Sequence, residues 1–261
     1  LGVRVDLRVI GCHGGETPKH RTSAFVVDDR IAIDAGSLTS GMELKAQCAL
    51  EAVLVSHPHL DHIRDLATIA DNRSQNGARP LLIAGTKPTL FALKKHFFNN
   101  LLWPDFSKIP NAGRPAIRYV ELTPEKPMTI AGYEVKAIRV NHTVDCCAFT
   151  VRSNNCSLAY SGDTGPTDRL WQVLSATKHL KALLMEVSFP NDEARLARVS
   201  GHHTPDSLAR DLKKLTLPVA KELPTLLYHI KPSFQAKVER ECARLRGLNL
   251  TVCALGDHFI L

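Results

Sequence analysis

The segment SHPHLDH, Ser56 to His62, puts three imidazoles and a carboxylate into seven consecutive residues. Imidazole nitrogen and carboxylate oxygen are donors that suit Zn2+, with Mn2+ or Fe as alternatives. His57 and His59 stand two apart, and Asp61 and His62 follow. On a tight loop this spacing can point two imidazoles one way and the Asp–His pair another, so that one segment serves two neighbouring ions. One loop cannot complete two coordination spheres, so the remaining donors must come from other parts of the chain. The candidates each lie just past a strand-like run: Asp34 in AIDAG, His142 in VNHTVD, Asp163 in YSGDTG and His229 in YHIKP. His202 and His203 sit together in SGHHTPDSL.

The elements that must position these groups can be read from pattern. ALEAVLV before the cluster reads as a buried strand and IRDLATIADNR after it as a helix. The cluster thus lies on a strand-to-helix loop, where rigid scaffolds display binding groups. Upstream, VRVDLRVIG, SAFVVDD and RIAIDAG alternate like strands, separated by CHGGETP and DD, and LTSGMELKAQCAL is helix-like. Downstream come the strand PLLIAG, the helix PTLFALKKHFFNN and the loop LLWPDFSKIPNAGRP. IRYVEL, MTIAGYEVKAIRV, CAFTVRS and SLAYSGD then read as strands and TDRLWQVLSAT as a helix. ALLMEVSF, TPDSLARDLKKL, TLLYHI, PSFQAKVERECARLRG and LTVCAL alternate strand and helix to the end. Strand meanders in both halves with helices between them predict two sheets packed face to face with helices outside, as one domain over residues 1–261.

Bulk composition narrows the class. The 261 residues are 44% hydrophobic and 23% charged, an ordinary balance for a globular chain with a sizeable core. No apolar run nears the roughly 18 residues of a membrane span. LGVRVDLRVIG alternates like a strand and does not resemble a signal peptide. The expected location is cytoplasmic, or periplasmic if a leader has been trimmed from the start. The seven cysteines are odd in number and contain no CxxC. They read as free thiols in a reducing compartment. The formal net charge of +7 suits a phosphate-bearing partner. The basic pieces LKKHFF and LKKL lie in helical patterns, however, and read as solvated helix faces rather than a nucleic-acid patch.

The order HxHxDH, a lone His, a Gly-Asp after a strand and a late His resembles the metallo-β-lactamase fold over nearly the whole chain. That resemblance implies an α/β fold, a four-layer αββα sandwich with two metals at one edge between the sheets. It implies that His57, His59 and His142 bind one ion, and that Asp61, His62 and His229 bind the other. Asp163 would bridge them with its two oxygens. Asp34 would steer the histidine loop from behind, since a ligating imidazole needs its second nitrogen held. Between two divalent cations, water loses a proton near neutral pH.

Three further segments, MEVSFPN, GHHTPDSLARDL and HFFNNLLWPDFS, together with YHIKP, resemble the class II 3′,5′-cyclic-nucleotide phosphodiesterases. Here the loop reads HLDHIRDL, with Asp65 where that family has a small residue, and His203 stands where an apolar residue is usual. By this resemblance His202, two before Thr204, is the general acid and Glu186 holds its tautomer. Thr204 can cap the following helix, with Pro205 at its first position. Phe189 and Asn191, or Trp103 and Phe106 in the aromatic segment, are candidate base contacts; aromatics at that spacing also read as core or interface packing. The implied substrate is a cyclic nucleotide, with no membrane partner, nucleic acid disfavoured, and a homodimer expected. Two alternatives stand beside it. A tRNA 3′-processing endoribonuclease of the same fold fits the basic charge, but its long Gly-rich basic arm has no counterpart here. A non-catalytic cyclic-nucleotide sensor has no need of a bridging carboxylate or an acid.

Overall fold

The computed structural model describes residues 5–217 and 222–261. The first two residues of the expected strand VRVDLRVIG, Val3 and Arg4, lie outside them. The first sheet contains β1 (Asp6–Gly11), β2 (Ala24–Val27), β3 (Ile31–Ile33), β4 (Ala52–Leu54), β5 (Leu81–Gly85) and β6 (Ile117–Glu121). The second contains β7 (Met128–Ile130), β8 (Tyr133–Val140), β9 (Cys146–Ser153), β10 (Cys156–Tyr160), β11 (Leu180–Glu186), β12 (Thr225–Tyr228) and β13 (Leu250–Val252). β14 (His258–Ile260) returns to pair with β1, giving seven strands in each sheet.

Both sheets are built the same way. β1, β2 and β3 form an antiparallel meander, and β3 to β6 continue in parallel. β7 to β10 are antiparallel, and β10 to β13 are parallel. Parallel strands need crossovers, and short helices supply them: α1 (Leu38–Gly41), α2 (Leu44–Ala49), α3 (Leu60–Ile63), α4 (Leu66–Gln75) and α5 (Lys87–Ala92) in the first half, and α6 (Asp168–Ser175), α7 (Ala194–Ser200), α8 (Pro205–Leu212) and α9 (Gln235–Cys242) in the second.

Alternation along the strands sorts the core into three slabs. Leu7, Phe25, Ile33 and Leu54 from the first sheet meet Val135, Phe149, Tyr160 and Tyr228 from the second, between the sheets. Val26, Val53 and Ile83 face Leu66, Ile69 and Phe98 on the outer side of the first sheet. Leu183, Met185 and Leu227 face Trp171, Leu174 and Leu208 outside the second. This is the αββα sandwich expected from the order of elements. The strands β4, β10 and β11 are buried along their whole length except at Lys181, which accounts for their continuous apolar runs.

Several expected elements are broken. MTIAGYEVKAIRV is a hairpin, β7 and β8, because Ala131 and Gly132 both take positive φ at its centre. LTSGMELKAQCAL divides into α1 and α2 at Met42 and Glu43, both extended. The helix of PTLFALKKHFFNN relaxes into a π turn over Leu93–Phe97, and the last helix begins as a single tight turn, Pro232–Phe234. The chain closes with β14 rather than with LTVCAL.

Candidate metal centre

The strand ends deliver the predicted groups to one edge of the sandwich. Asp34 follows β3, the histidine loop follows β4, His142 follows β8, Asp163 follows β10, Glu186 ends β11 and His229 follows β12. The turn between β10 and Asp163 depends on Gly162, which has φ +61° and whose missing Cβ would stand 2.6 Å from the Cys147 carbonyl oxygen. A side chain there would push Asp163 away from the histidines.

The ligand atoms gather in two sets that share one carboxylate. His59 Nδ1 lies 3.0 Å from His57 Nε2 and 3.3 Å from His142 Nε2. His229 Nε2 lies 3.4 Å from His62 Nε2 and 3.3 Å from Asp61 Oδ2. Asp163 Oδ2 stands between the sets, 3.7 Å from His57 Nε2 and 3.2 Å from both His62 Nε2 and His229 Nε2. Its Oδ1 is buried with no hydrogen-bond partner, which is costly unless a cation satisfies it. Three or more donors within 4.8 Å of one another occur in His57–His59–His142, in Asp61–His62–His229 and in His57–His62–Asp163. Facing imidazole lone pairs plus an orphaned carboxylate oxygen fit a pair of divalent cations.

The opposite nitrogens are held from behind, and this sets the tautomers. Asp34, wholly buried with φ +56°, accepts His62 Nδ1–H at 2.7 Å, the Tyr160 hydroxyl at 2.6 Å and the Ser56 hydroxyl at 2.7 Å, all on Oδ2. Its Oδ1 accepts the Ser56 backbone N–H at 2.8 Å, which pins the start of the histidine loop. Ser56 Oγ in turn lies 3.0 Å from His57 Nδ1, and His142 Nδ1–H donates to the Gly201 carbonyl at 3.0 Å. His57, His62 and His142 therefore present Nε2 lone pairs to the cluster.

Burial, with His62 as a charged neighbour, pushes His57 well below the usual imidazole range, and burial also lowers His59 and His142. Neutral imidazoles are what a cation requires. Burial opposes charge on His62 too, but Asp163 and Asp34 outweigh it and raise its pKa well above the usual value, so an ion bound at its Nε2 would displace the proton held there. Burial likewise opposes the charge of Asp163, yet His229 and His62 hold the carboxyl well below its usual range. Asp61 also stays low against its own burial, through its contact with His229 and the neighbouring His62.

Beside this cluster His202 stacks on His229, with ring centroids 5.2 Å apart and planes 20° off parallel. Its Nδ1 lies 3.2 Å from Glu186 Oε1, and Glu186 is wholly buried. Burial works against both charges, but each partner outweighs it: Glu186 is lowered and His202 raised. Thr204 caps α8 in a reciprocal box with Ser207, and Pro205 takes the first helical position. His202 is thus fixed against a rigid helix start. His203, next in the chain, turns away: its Nδ1 meets Ser207 Oγ at 3.0 Å and its Nε2 faces Asp211 at 3.9 Å.

The remaining candidates separate. Phe189 comes close, its ring 5.7 Å from that of His202. Asn191 is occupied as a scaffold, accepting the Asp206 N–H of α8 at 2.9 Å. Phe106 is buried in the outer core of the first sheet, and Trp103 packs on that core with its indole N–H on the Ala67 carbonyl. This is the packing role, so these two are not brought to the histidines. Asp65, just after the loop, accepts the Thr39 backbone N–H at 2.7 Å and ties α1 to the start of α4. Sequence reasoning passed over Ser56, Tyr160 and Ser188, whose hydroxyls hold His57, Asp34 and His229 in turn; a hydroxyl has no spacing signature.

The profile described as the Beta-lactamase superfamily domain matches residues 30–230. A probable 3′,5′-cyclic-nucleotide phosphodiesterase of Yersinia pestis is 26% identical over 88% of this chain and 79% of its own length. A 3′,5′-cyclic-nucleotide phosphodiesterase of Schizosaccharomyces pombe is 28% identical over 80% of this chain, which spans only 65% of that protein. Among solved structures, unliganded yeast PDE1 has a similar fold, with a TM-score of 0.83, 20% identity and 99% coverage of both chains.

Proposed function

The chain belongs to the beta-lactamase superfamily, and we propose that it is a metal-dependent phosphodiesterase that hydrolyses 3′,5′-cyclic nucleotides to 5′-nucleotides. The observation that carries this reading is the pair of donor sets with Asp163 Oδ2 between them and the His202–Glu186 pair beside them. The names of the two relatives support the choice of substrate.

His57, His59 and His142 would hold one ion, Asp61, His62 and His229 the other, and Asp163 both. Zn2+ suits this donor set best, with Mn2+ or Fe as alternatives. Two bound divalent ions supply Lewis acidity toward phosphate oxygens and lower the pKa of an attacking water. The chain's own residues do the rest. Glu186 accepts His202 Nδ1–H, which leaves Nε2 to carry the transferable proton. As the P–O3′ bond breaks, His202 gives that proton to the departing ribose oxygen, and Glu186 stabilises the imidazolium beforehand. Phe189 offers an apolar wall beside His202 for the nucleoside.

The test is a panel of 3′,5′- and 2′,3′-cyclic nucleotides and a pre-tRNA, each incubated with ion-loaded protein and resolved by chromatography. The expected product is a 5′-nucleotide from a 3′,5′-cyclic substrate. Cleavage of the pre-tRNA with no turnover of any cyclic nucleotide would assign the chain to RNA processing instead, and tight nucleotide binding without turnover would make it a sensor.

A further inference from the structure

Ser188 is wholly buried where three functional segments meet. Its backbone N–H donates to the His203 carbonyl at 3.0 Å, and its carbonyl accepts the Lys231 N–H at 3.2 Å. The side chain is thereby pinned between the segment carrying His202 and the one carrying His229. Its Oγ lies 2.8 Å from His229 Nδ1, 3.0 Å from Glu186 Oε2 and 3.2 Å from His202 Nδ1.

A hydroxyl has one proton to give and two lone pairs. Glu186 can only accept, so the Ser188 proton goes to Oε2. The shortest contact is then His229 Nδ1–H donating to Ser188 Oγ, which leaves the His229 Nε2 lone pair facing Asp61, His62 and Asp163. His202 Nδ1–H has Glu186 Oε1 as its acceptor. One carboxylate therefore orients two imidazoles, His202 directly and His229 through a hydroxyl.

The same device occurs again at Asp34. Asp34 holds His62 directly at 2.7 Å and reaches His57 through the Ser56 hydroxyl, at 2.7 Å and 3.0 Å. In both cases a buried acid, a serine and a pair of imidazoles form the unit.

We infer that Ser188 is a positioning residue: it transmits the hold of Glu186 to His229, so that the acid fixing the proton donor also fixes a ligand of the second ion. This rests on the paired-ion reading above, but not on the choice of substrate.

The experiment titrates ion-free protein with Zn2+ against a chromophoric chelator, with no substrate present. Wild type takes up two ions per chain. Ser188→Ala keeps the first ion and binds the second about 10–100-fold more weakly, the usual effect of losing a group that holds a metal-bound imidazole from behind. Ser188→Thr, which keeps the hydroxyl, restores binding. Glu186→Gln also weakens the second ion, and the double variant loses clearly less than the two single losses added together, because both act through one chain of hydrogen bonds. Ser188→Cys keeps the shape, weakens both bonds and falls between serine and alanine; it decides the matter if the alanine variant does not fold. Wild-type affinity for both ions in the alanine or cysteine variant overturns the inference. Uptake of fewer than two ions by the wild type overturns the paired-ion reading itself, which is a distinguishable result.

Discussion

Asp34 never faces the cluster, yet three donors and a backbone N–H converge on it. Asp34→Ala should therefore strip the partner from His62 Nδ1 and release Ser56, lowering ion affinity about 10–100-fold; chelator competition measures it. Asp163 Oδ2 lies between the two donor sets, so Asp163→Ala should lose both ions and all turnover, with metal content read by mass spectrometry. His202 and His203 provide an internal control. His202→Ala should keep its ions and lose about 10²–10⁴ in kcat, while His203→Ala should cost far less, since that ring faces Asp211. A swap of these two effects would contradict the orientation of the pair. At this scale, what was legible in sequence was the set of donors at strand ends, because residue type and position coincide there. Ser56, Tyr160 and Ser188 were not legible: hydroxyls are common, and only folding shows which carboxylate each one meets. Trp103 and Phe106 were offered as base contacts by type alone, and the irregular segment between the π turn and β6 packs both onto the outer core of the first sheet.

The strand-to-loop junctions do the positioning, and the helix starts lock it. Gly201 ends α7 in the left-handed region at φ +68°, and its absent Cβ would stand 2.9 Å from His142 Cα. That close approach lets the Gly201 carbonyl reach His142, so Gly201→Ala should disturb a proposed ligand from a position outside the cluster. Thr204 acts similarly through α8. Thr204→Ala removes a side-chain cap worth about 1 kcal/mol, measurable by denaturant unfolding, and should lower kcat beyond what that stability loss explains because His202 loses its anchor. The strand and helix order was legible from period-2 runs and turn residues. The breaks were not, because the hairpin at Ala131–Gly132 and the π turn at Leu93–Phe97 interrupt patterns whose periodicity runs straight through them.

At the scale of the molecule, both halves repeat one plan: an antiparallel meander leading into parallel strands, with the cluster at the strand ends where the two sheets meet. The Cys147 N–H donates to the Ser56 carbonyl and the His229 N–H to the Cys12 carbonyl, so backbone bonds tie the sheets together beside the site. Ligands from both halves must then come apart on unfolding. Divalent ion should raise the midpoint of thermal unfolding in a concentration-dependent way, and a chelator should reverse it; calorimetry checks this. Among the described residues no helix is long and apolar enough to cross a membrane. Whether the two halves close around a pair of cations is read from anomalous X-ray diffraction of ion-loaded crystals. Two anomalous peaks are predicted, one among His57, His59 and His142 and one among Asp61, His62 and His229, with Asp163 touching both. A single peak, or none between these groups, would contradict it.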